Sequence, residues 1–374
     1  MQKSQRYLAL DVLRGMTIAF MILVNTPGSW QYVYAPLLHA EWHGCTPTDL
    51  VFPFFLFVVG VSMFFSFAKY ENSLNKATLR RVGERTFMIF IIGLFINSFP
   101  QWSQDFSQLR IMGVLQRIAL AYGIAAIIVL AFSRRNILII GTSLLFIYWA
   151  ILYFLGGDDP YSLTDNVVRA FDSAVLGDRH LYMGFREGGE AIPFDPEGLL
   201  STIPSVVSVL TGYFAAIMIK ETQREKVPLK LILYGAVFTF AGWLWGLVLP
   251  INKPLWTSSY VLYTSGQAAI LFGILIYIID IKGYKKWSSF FVVFGLNPLF
   301  IYALSGIWAK ALWMLIRIKD AEGNVMSGYG WLYQNVFVPL AGNLNGSLLF
   351  AITHIIFFWL IGYILYKKKI FIKV

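Results

Sequence analysis

Hydrophobic runs alternate with short polar segments along the whole chain, and each run predicts a helix that crosses a membrane. About 20 apolar residues in a helix span the ~30 Å hydrocarbon core of a bilayer. Ten runs approach this length: 8–25, 50–68, 86–98, 114–132, 137–155, 199–219, 229–249, 258–279, 290–311 and 348–366. The third run is short, and 331–340 is typical of a partial or re-entrant segment, so we expect about ten spans within a range of nine to eleven.

The composition agrees with this pattern. Hydrophobic residues occupy 57% of the 374 positions and charged residues only 13%, which leaves too little polar surface to surround a soluble core. We therefore expect an all-α, polytopic membrane helix bundle, with 1–374 forming a single domain. The long excursion 156–197 is rich in Gly, Pro and Asp, and it predicts an irregular extracytoplasmic loop, with room for short helices, that caps the outer mouth of the bundle.

The distribution of basic residues predicts an orientation. The formal net charge is +10, and most of the 30 Lys and Arg residues fall in the terminal and alternate connecting segments that would lie on one side of the bilayer. Cytoplasmic segments carry an excess of Lys and Arg, so both termini are expected in the cytoplasm. Because this charge is spread over several short segments, it does not form one basic face, and we expect no nucleic acid as a partner.

Polar side chains within the first run are costly in a membrane and tend to face a cavity or a partner. Asp11 and Arg14 lie three residues apart on one helix face. They either pair with each other or act as a helix-start aspartate and a snorkelling arginine. Asn25 closes the same run at its outer end.

Two later runs carry polar groups at an edge or a break. Gln116 and Arg117 stand at what we interpret as the cytoplasmic start of a span, where they are either an interfacial anchor or part of a ligand site. Asn297 precedes Pro298. This proline predicts a break in the helix, which frees backbone groups that a polar partner must satisfy.

The stretch "HAEWHGCTPTD", residues 39–49, places titratable groups directly before a run of phenylalanines. A metal site is one interpretation, but H-x-E-x-H turns Glu41 away from the face shared by the two histidines and differs from the H-E-x-x-H of zinc proteases. We therefore expect no metal. The other interpretations are a structural histidine and an acid–base or nucleophilic histidine, for which imidazole is suited near neutral pH. Asp49 would orient His39 or cap the next span.

Six motifs lie between residues 8 and 302: "LALDVLRGMTIAFMILVN", "HAEWHGCTPTDLVFPFFLFVVG", "GVLQRIALAY", "FDPEGLLSTIPSVV", "PINKPLWTSSYV" and "GLNPLFIY". The stretch of resemblance to which they belong covers about residues 7–365. In order and spacing, the sequence resembles the transmembrane heparan-α-glucosaminide N-acetyltransferase family, the lysosomal enzyme and its bacterial relatives. The resemblance implies an acyltransferase of the bacterial inner membrane. Such an enzyme moves an acetyl group from cytoplasmic acetyl-CoA, a co-substrate, to the amine of an extracytoplasmic amino sugar.

The resemblance also assigns site residues. The family's catalytic histidine lies in an H-x-x-W-x-G motif that falls on His39, and it would act as a base or as a transient acyl carrier. The family's asparagine falls on Asn25, which would steady the thioester carbonyl. Where the lysosomal enzyme resembles W-N-G, this chain has His43 in the middle position, which leaves the acceptor open. The expected catalytic residues are His39, Asn25 and Asp49, the donor-binding residues Arg14, Arg117, Gln116 and Asn297, and the acceptor-binding residues Trp42, Glu197 and Asn252.

Two other classes of protein stay open. A sugar or lipid transporter would share the spans and the aromatic outer lip, and a non-catalytic membrane scaffold would keep the fold with a decayed site. Neither would release CoA from acetyl-CoA. The expected partners are acetyl-CoA, an amino sugar and the lipid bilayer, and a homodimer is left open as an assembly.

Overall fold

Long apolar helices account for most of the chain. The computed structural model describes residues 7–67, 74–100, 106–319, 323 and 325–372, so that the end of the predicted run 50–68 lies outside the described residues. The helices are α1 (Leu8–Asn25), α2 (Val51–Phe67), α3 (Lys76–Ser98), α4 (Val114–Ala131), α5 (Arg134–Leu155), α6 (Val167–Leu176), α7 (Thr202–Glu221), α8 (Val227–Trp245), α9 (Ser258–Leu275), α10 (Ser289–Leu296), α11 (Pro298–Lys310), α12 (Gly328–Leu332) and α13 (Val338–Lys367).

Two short hairpins supplement the helices. Strand β1 (Phe185–Glu187) pairs antiparallel with β2 (Glu190–Ile192), and β3 (Arg317–Lys319) pairs antiparallel with β4 (Val325–Ser327). The first hairpin and α6 both belong to the excursion 156–197. The excursion, predicted as an irregular loop with room for short helices, contains one such helix, capped by the Asn166 side chain, and also a hairpin that was not predicted.

The prediction of a polytopic all-α membrane protein is confirmed. Nine helical stretches among the described residues are long and apolar enough to cross a membrane, which lies within the predicted range of nine to eleven. Helix α3 is not among them, since its first turns carry Lys76, Arg80, Arg81, Glu84 and Arg85. It nevertheless packs along α4, and its apolar second half corresponds to the short third run.

Several pairs of helices pack closely against each other at glycine residues. Helix α2 packs along α7, α1 along α10, and α8 along α9. A Cβ atom on Gly60 of α2 would lie 1.9 Å from the carbonyl oxygen of Val209, and one on Gly212 of α7 would lie 1.9 Å from that of Phe57. Only glycine allows this approach, which is how membrane helices gain packing contact without a hydrophobic driving force between them.

The predicted partial segment 331–340 corresponds to a short helical return. Helix α12 continues through a π-helical turn, Tyr333–Phe337, into the first residues of α13. The backbone breaks at Gly342, where φ is +74°. Beyond the break, Gly346 packs so tightly on Phe337 that a Cβ would lie 2.7 Å from its carbonyl oxygen, so the short segment folds back against the long helix that follows.

The two ends of the bundle differ in charge. Because the long helices alternate in direction, α2, α4, α7 and α9 all begin at one end, named here the His39 end, where Tyr260 of α9 donates to the carbonyl oxygen of Asp49. The opposite end is named the basic end. Its described residues include Arg134, Arg135, Lys220, Arg224, Lys226, Lys282, Lys285, Lys286, Lys367, Lys368 and Lys369.

Candidate active site

An imidazole and a carboxylate meet just before α2. His39 Nδ1 lies 2.6 Å from Asp49 Oδ1. The Asp49 side chain is 1% exposed, whereas that of His39 is 46% exposed. An ionised carboxylate can only accept a hydrogen bond, so this contact places the imidazole proton on Nδ1 and leaves a lone pair on Nε2. The geometry gives His39 the form of a base.

The start of α2 fixes this carboxylate. Thr46 and Asp49 form a capping box around the 3₁₀ turn Pro47–Leu50, which leads directly into α2. Asp49 Oδ2 accepts hydrogen bonds of 3.0 Å from the Ala40 amide, the Thr46 amide and the Thr46 hydroxyl. Asp49 thus caps the second span and contacts His39 at the same time.

A lysine from another loop completes the cluster. Lys253 Nζ lies 3.1 Å from His39 Nδ1 and 3.5 Å from Asp49 Oδ1. Burial lowers the pKa of Lys253, although the charges of Asp49 and Glu197 act in the opposite direction. The centre of the site is therefore a lysine, a carboxylate and an imidazole rather than a pair.

Two other titratable groups of the opening stretch, Cys45 and His43, lie in surroundings different from those of His39. Burial raises the pKa of Cys45 to about 12, with the Asp49 charge adding to the effect, so the thiol stays protonated. Burial also lowers the pKa of His43, which makes it predominantly neutral. Within the part of the chain that the structure describes, no three His, Cys, Asp or Glu side chains are grouped as a metal site would need.

Asn252 and Trp42, both predicted to bind the acceptor, hold loops together. Asn252 is fully buried and donates to the Trp42 carbonyl oxygen at 2.9 Å and to His43 Nδ1 at 3.2 Å, while its own Oδ1 accepts from the Leu255 amide. Trp42 Nε1 donates to the Tyr161 carbonyl oxygen at 2.7 Å. Residues 26–50, between α1 and α2, are named here the His39 loop. These bonds fasten the His39 loop to segment 250–257 and to the long excursion.

Glu197 belongs to an ion-pair cluster beside this loop. Arg110 donates to Glu197 Oε2 at 2.6 Å and, through two nitrogens, to Asp195 at 2.7 and 2.8 Å. Burial opposes the charged form of Arg110, but the bonds and charges of the two acids outweigh it and raise the pKa of Arg110. The Glu197 side chain is 12% exposed, so part of the carboxylate faces the outside of the cluster.

Arg117 and Gln116 lie at the His39 end, not at the opposite end where we expected them. Arg117 is fully buried and donates to the carbonyl oxygens of Pro196 and Gly198 at 2.8 and 3.0 Å and to the Ser201 hydroxyl. Gln116 donates to the Ile111 carbonyl oxygen at 2.9 Å. The expected cytoplasmic position was wrong because α4 begins at the end where the long excursion returns to the bundle.

Asn25 is the last residue of α1, and its side chain is exposed. Among the hydrogen bonds found in the described residues, none joins Asn25 to His39 or Asp49. The residue lies at the same end of the bundle as both, and its assigned role stays a prediction.

A cavity of about 550 Å³ lies between α1, α2, α3, α4 and the α10–α11 break. Arg14 projects into it and donates to the Ser62 hydroxyl at 2.6 Å and to Asp11 at 3.3 Å. Arg85 also lines the cavity, with its guanidinium 4.7 Å from the centre of the Tyr122 ring. Two guanidinium groups therefore face one mostly apolar cavity.

Asn297 borders this cavity but is occupied by the chain itself. It is fully buried at the break between α10 and α11. Its side chain donates to the Ile370 carbonyl oxygen at 3.1 Å and accepts from the Ile372 amide at 2.7 Å. Phe371 and Ile372 consequently line the cavity, so Asn297 fixes the tail as part of its wall.

Sequence reasoning did not single out Lys253 and Arg110. Lys253 follows Asn252 in the quoted "PINKPLW". A lysine between two prolines, in a connecting segment on the side of the membrane with few basic residues, could have drawn attention to it. Arg110 stands in a short polar connection with no motif around it. Its two acidic partners come from 85 and 87 residues away, which local spacing does not indicate.

Together these features define an integral membrane protein with a histidine–carboxylate site at one end of its bundle and an arginine-lined cavity nearer the other. The chain belongs to the family described as "Heparan-alpha-glucosaminide N-acetyltransferase, catalytic", whose model matches residues 6–244. It is 26% identical to the heparan-alpha-glucosaminide N-acetyltransferases of Homo sapiens and Mus musculus over 99% of its length. The chain spans 60% and 61% of those two relatives, respectively.

Proposed function

We propose that the protein transfers an acetyl group from acetyl-CoA, bound in the cavity lined by Arg14 and Arg85, to the amine of an amino sugar bound beside His39. The observation that carries this proposal is the approach of the two sites. The cavity reaches Phe55 on α2, six residues after Asp49 and therefore about 9 Å along the helix. A donor in the cavity and an acceptor beside His39 are therefore separated along α2 by about this distance, which the arm that carries the thioester would have to cross.

The charge of the two arginines supports a phosphate-binding site in the cavity. Acetyl-CoA carries phosphates, and the planar forks of Arg14 and Arg85 suit phosphate oxygens through charge-assisted, bidentate hydrogen bonds. The apolar wall contributed by Phe55, Val58 and Ile118 suits the uncharged arm that carries the thioester. We therefore assign Arg14 and Arg85 to donor binding. Asn297 supports them by fixing the tail that forms part of the cavity wall, whereas Arg117 and Gln116 hold loops at the His39 end.

The chemical step follows from the state of His39. An ammonium group cannot attack a thioester, so Nε2 first accepts a proton from the acceptor amine. The amine nitrogen then forms a bond to the acetyl carbon, the carbon–sulfur bond breaks, and CoA leaves as a thiolate that is protonated from the imidazolium. The nitrogen loses its second proton through the Nε2 atom thus freed, and this proton passes to solvent. Asp49 stabilises the imidazolium, and we assign Asn25 to the carbonyl oxygen on which negative charge develops.

The acceptor side rests on Glu197 and on the names of the relatives. Glu197 is the partly exposed acid of the Arg110 cluster, and its charge acts to raise the pKa of Lys253, which supports a position near His39. A carboxylate in this position suits the ammonium or a hydroxyl group of an amino sugar. Trp42 and Asn252 shape the acceptor site by fixing the His39 loop.

The orientation follows from the charge of the two ends. We assign the basic end, with both termini, to the cytoplasm, where acetyl-CoA is made, and the His39 end to the opposite side. The proposed location is a bacterial inner membrane. The charge bias supports the orientation, which labelling of intact cells tests, and the resemblance to bacterial relatives supports the location.

Purified protein in detergent tests the function directly. With acetyl-CoA and glucosamine, the wild type should release CoA and form an N-acetylated product, and His39→Ala should be slower by about 10²- to 10⁴-fold. His180→Ala is the matched control, because His180 contacts the Leu109 carbonyl oxygen outside the site. A transporter or scaffold would release no CoA in any variant. Labelled acetyl trapped on His39 without acceptor would identify it as an acyl carrier.

A further inference from the structure

Lys253 is an unusual neighbour for a histidine that must act as a base. The atoms Nζ of Lys253, Nδ1 of His39 and Oδ1 of Asp49 form a triangle with sides of 3.1, 2.6 and 3.5 Å. The Lys253 side chain is only 16% exposed. The contact joins residues 214 positions apart, so it depends on docking of segment 250–257 against the His39 loop.

Only one arrangement of protons suits this triangle. If Lys253 donated to Nδ1, that nitrogen would carry no proton, and two acceptor atoms, Nδ1 and Asp49 Oδ1, would face each other at 2.6 Å. If Asp49 Oδ1 instead accepts from both Nδ1–H and the ammonium, every contact is favourable. Lys253 and His39 therefore share one oxygen, and the ammonium lies beside the imidazole without bonding to it.

The charge of this neighbour acts against protonation of the ring. A carboxylate beside a histidine favours the imidazolium, whereas a cation at the same distance disfavours it. The charged and titratable groups around Lys253 are Asp49, Glu197, the Cys45 thiol and His39 itself. Among these, Asp49 contacts both the lysine and the imidazole.

We propose that Lys253 is a positioning residue that offsets the charge of Asp49 and keeps His39 neutral, with its proton on Nδ1 and its Nε2 lone pair available. The proposal rests on the proposed function only in treating His39 as the base. Its physical content, a cation that controls the protonation of one imidazole, is measurable without any turnover.

Chemical modification measures that protonation. Diethyl pyrocarbonate reacts with unprotonated imidazole, and peptide mass spectrometry follows His39 separately from His180 in the same digest. We expect Lys253→Met to raise the pH of half-maximal His39 reactivity by about one unit, which makes the ring about tenfold less available on the acidic side. Lys253→Arg, which keeps the cation, should stay near the wild type, and His180 should be unchanged in all three proteins.

Lys253→Gln serves as a second neutral variant should Lys253→Met fail to fold, and Lys319→Met removes a lysine from an exposed hairpin position at the same end of the bundle. Superimposable His39 profiles in the wild type and the neutral variants would overturn the proposal. A parallel shift in Lys319→Met would also overturn it, since any nearby cation would then suffice.

Turnover gives the second readout. The acidic limb of the pH profile for CoA release should move to higher pH in Lys253→Met, by the same interval as the modification profile, and activity should largely recover at alkaline pH. A uniform loss of activity at every pH would reveal a merely structural lysine. If the wild type releases no CoA at all, the proposed function fails while the modification result still decides the role of Lys253.

Discussion

Asp49 combines two tasks that proteins usually give to separate residues. One carboxylate oxygen completes the capping box of the turn before α2, and the other contacts His39 and Lys253. The helix cap therefore sets the position of the His39 imidazole. Any rotation of α2 at its first turn would move the imidazole, which couples the packing of the second span to the geometry of the site.

Asp49→Asn separates these two tasks. An amide can still accept at the cap through one oxygen, but a neutral side chain no longer stabilises an imidazolium or fixes the proton on Nδ1. We expect CoA release to fall by about 10²- to 10⁴-fold, with a loss of folding stability of only about 0.5–2 kcal/mol. Thr46→Ala, which weakens the same cap and keeps the carboxylate, should instead lose stability with most of its turnover intact. Equal losses of turnover in the two variants would contradict the assignment.

Arg14 is the donor-side residue that a substitution tests best. Removal of a charge-assisted contact to phosphate costs about 1.5–3 kcal/mol, which corresponds to roughly 10- to 150-fold in affinity. We expect Arg14→Ala to weaken acetyl-CoA binding by this amount in a calorimetric titration, and Arg14→Lys to recover part of the loss because the charge returns without the fork. Arg135→Ala, an exposed arginine at the basic end, should bind as the wild type does. Unchanged affinity in Arg14→Ala would remove the cavity from the donor site.

At the scale of elements, the pattern of apolar runs was informative and the direction of individual helices was not. The runs predict the long helices, and the third run is short because only the second half of α3 is apolar, its first turns being charged. Arg117 was placed at the wrong end because local sequence shows that a span begins, whereas the side on which it begins depends on counting every preceding span. The hairpin Phe185–Ile192 was missed because strands of three residues have no detectable period.

The loop contacts of Arg117 and Lys253 also could not be predicted from the sequence. Each joins segments far apart in the chain, and no spacing rule relates them. By contrast, His39 and Asp49 stand ten residues apart in one polar stretch, so their proximity was a reasonable expectation. Interactions within a segment could be predicted, and those between segments required the fold.

Helix α6 carries a carboxylate whose ionisation should affect the stability of the outer loop. Asp172 is 1% exposed and accepts from the amides of Leu199 and Leu200, while its other oxygen is buried without a hydrogen-bond partner among the described residues. Burial raises the pKa of Asp172 from 3.8 to about 6, although the two amide bonds and Arg117 act in the opposite direction. The folded protein thus binds this proton more tightly than the unfolded chain does.

Stability should therefore decrease as the pH rises from about 4 to 6, by up to about 3 kcal/mol from this group. Asp172→Asn keeps an acceptor for the two amides and cannot ionise, so its thermal unfolding temperature in detergent should change less over this range and exceed that of the wild type at pH 7. Asp178→Asn, at an exposed position in the same excursion, is the control. Parallel curves for the wild type and Asp172→Asn would show that the carboxylate is not the source.

At the scale of the whole molecule, the two ends differ in both charge and chemistry. The basic end has Lys and Arg in its terminal and connecting segments, whereas the His39 end holds the imidazole, the ion-pair cluster of Arg110 and the structured excursion. The cavity joins them only part of the way, since its uppermost residues lie about 9 Å along α2 from Asp49. A reaction with substrates on two sides of the membrane requires this difference between the ends. The proposed mechanism fails if the orientation is reversed or if both ends face the same compartment.

Labelling of intact bacterial cells expressing the protein decides the orientation. In a Cys45→Ser background, a cysteine at Glu187, on the exposed hairpin at the His39 end, should react with a membrane-impermeant maleimide added outside. A cysteine at Gln223, in the exposed turn between α7 and α8 at the basic end, should react only after the membrane is permeabilised. The charge difference between the ends motivates this outcome. Labelling of Gln223→Cys but not Glu187→Cys in intact cells would place His39 in the cytoplasm, and the acceptor could then no longer lie on the opposite side from acetyl-CoA.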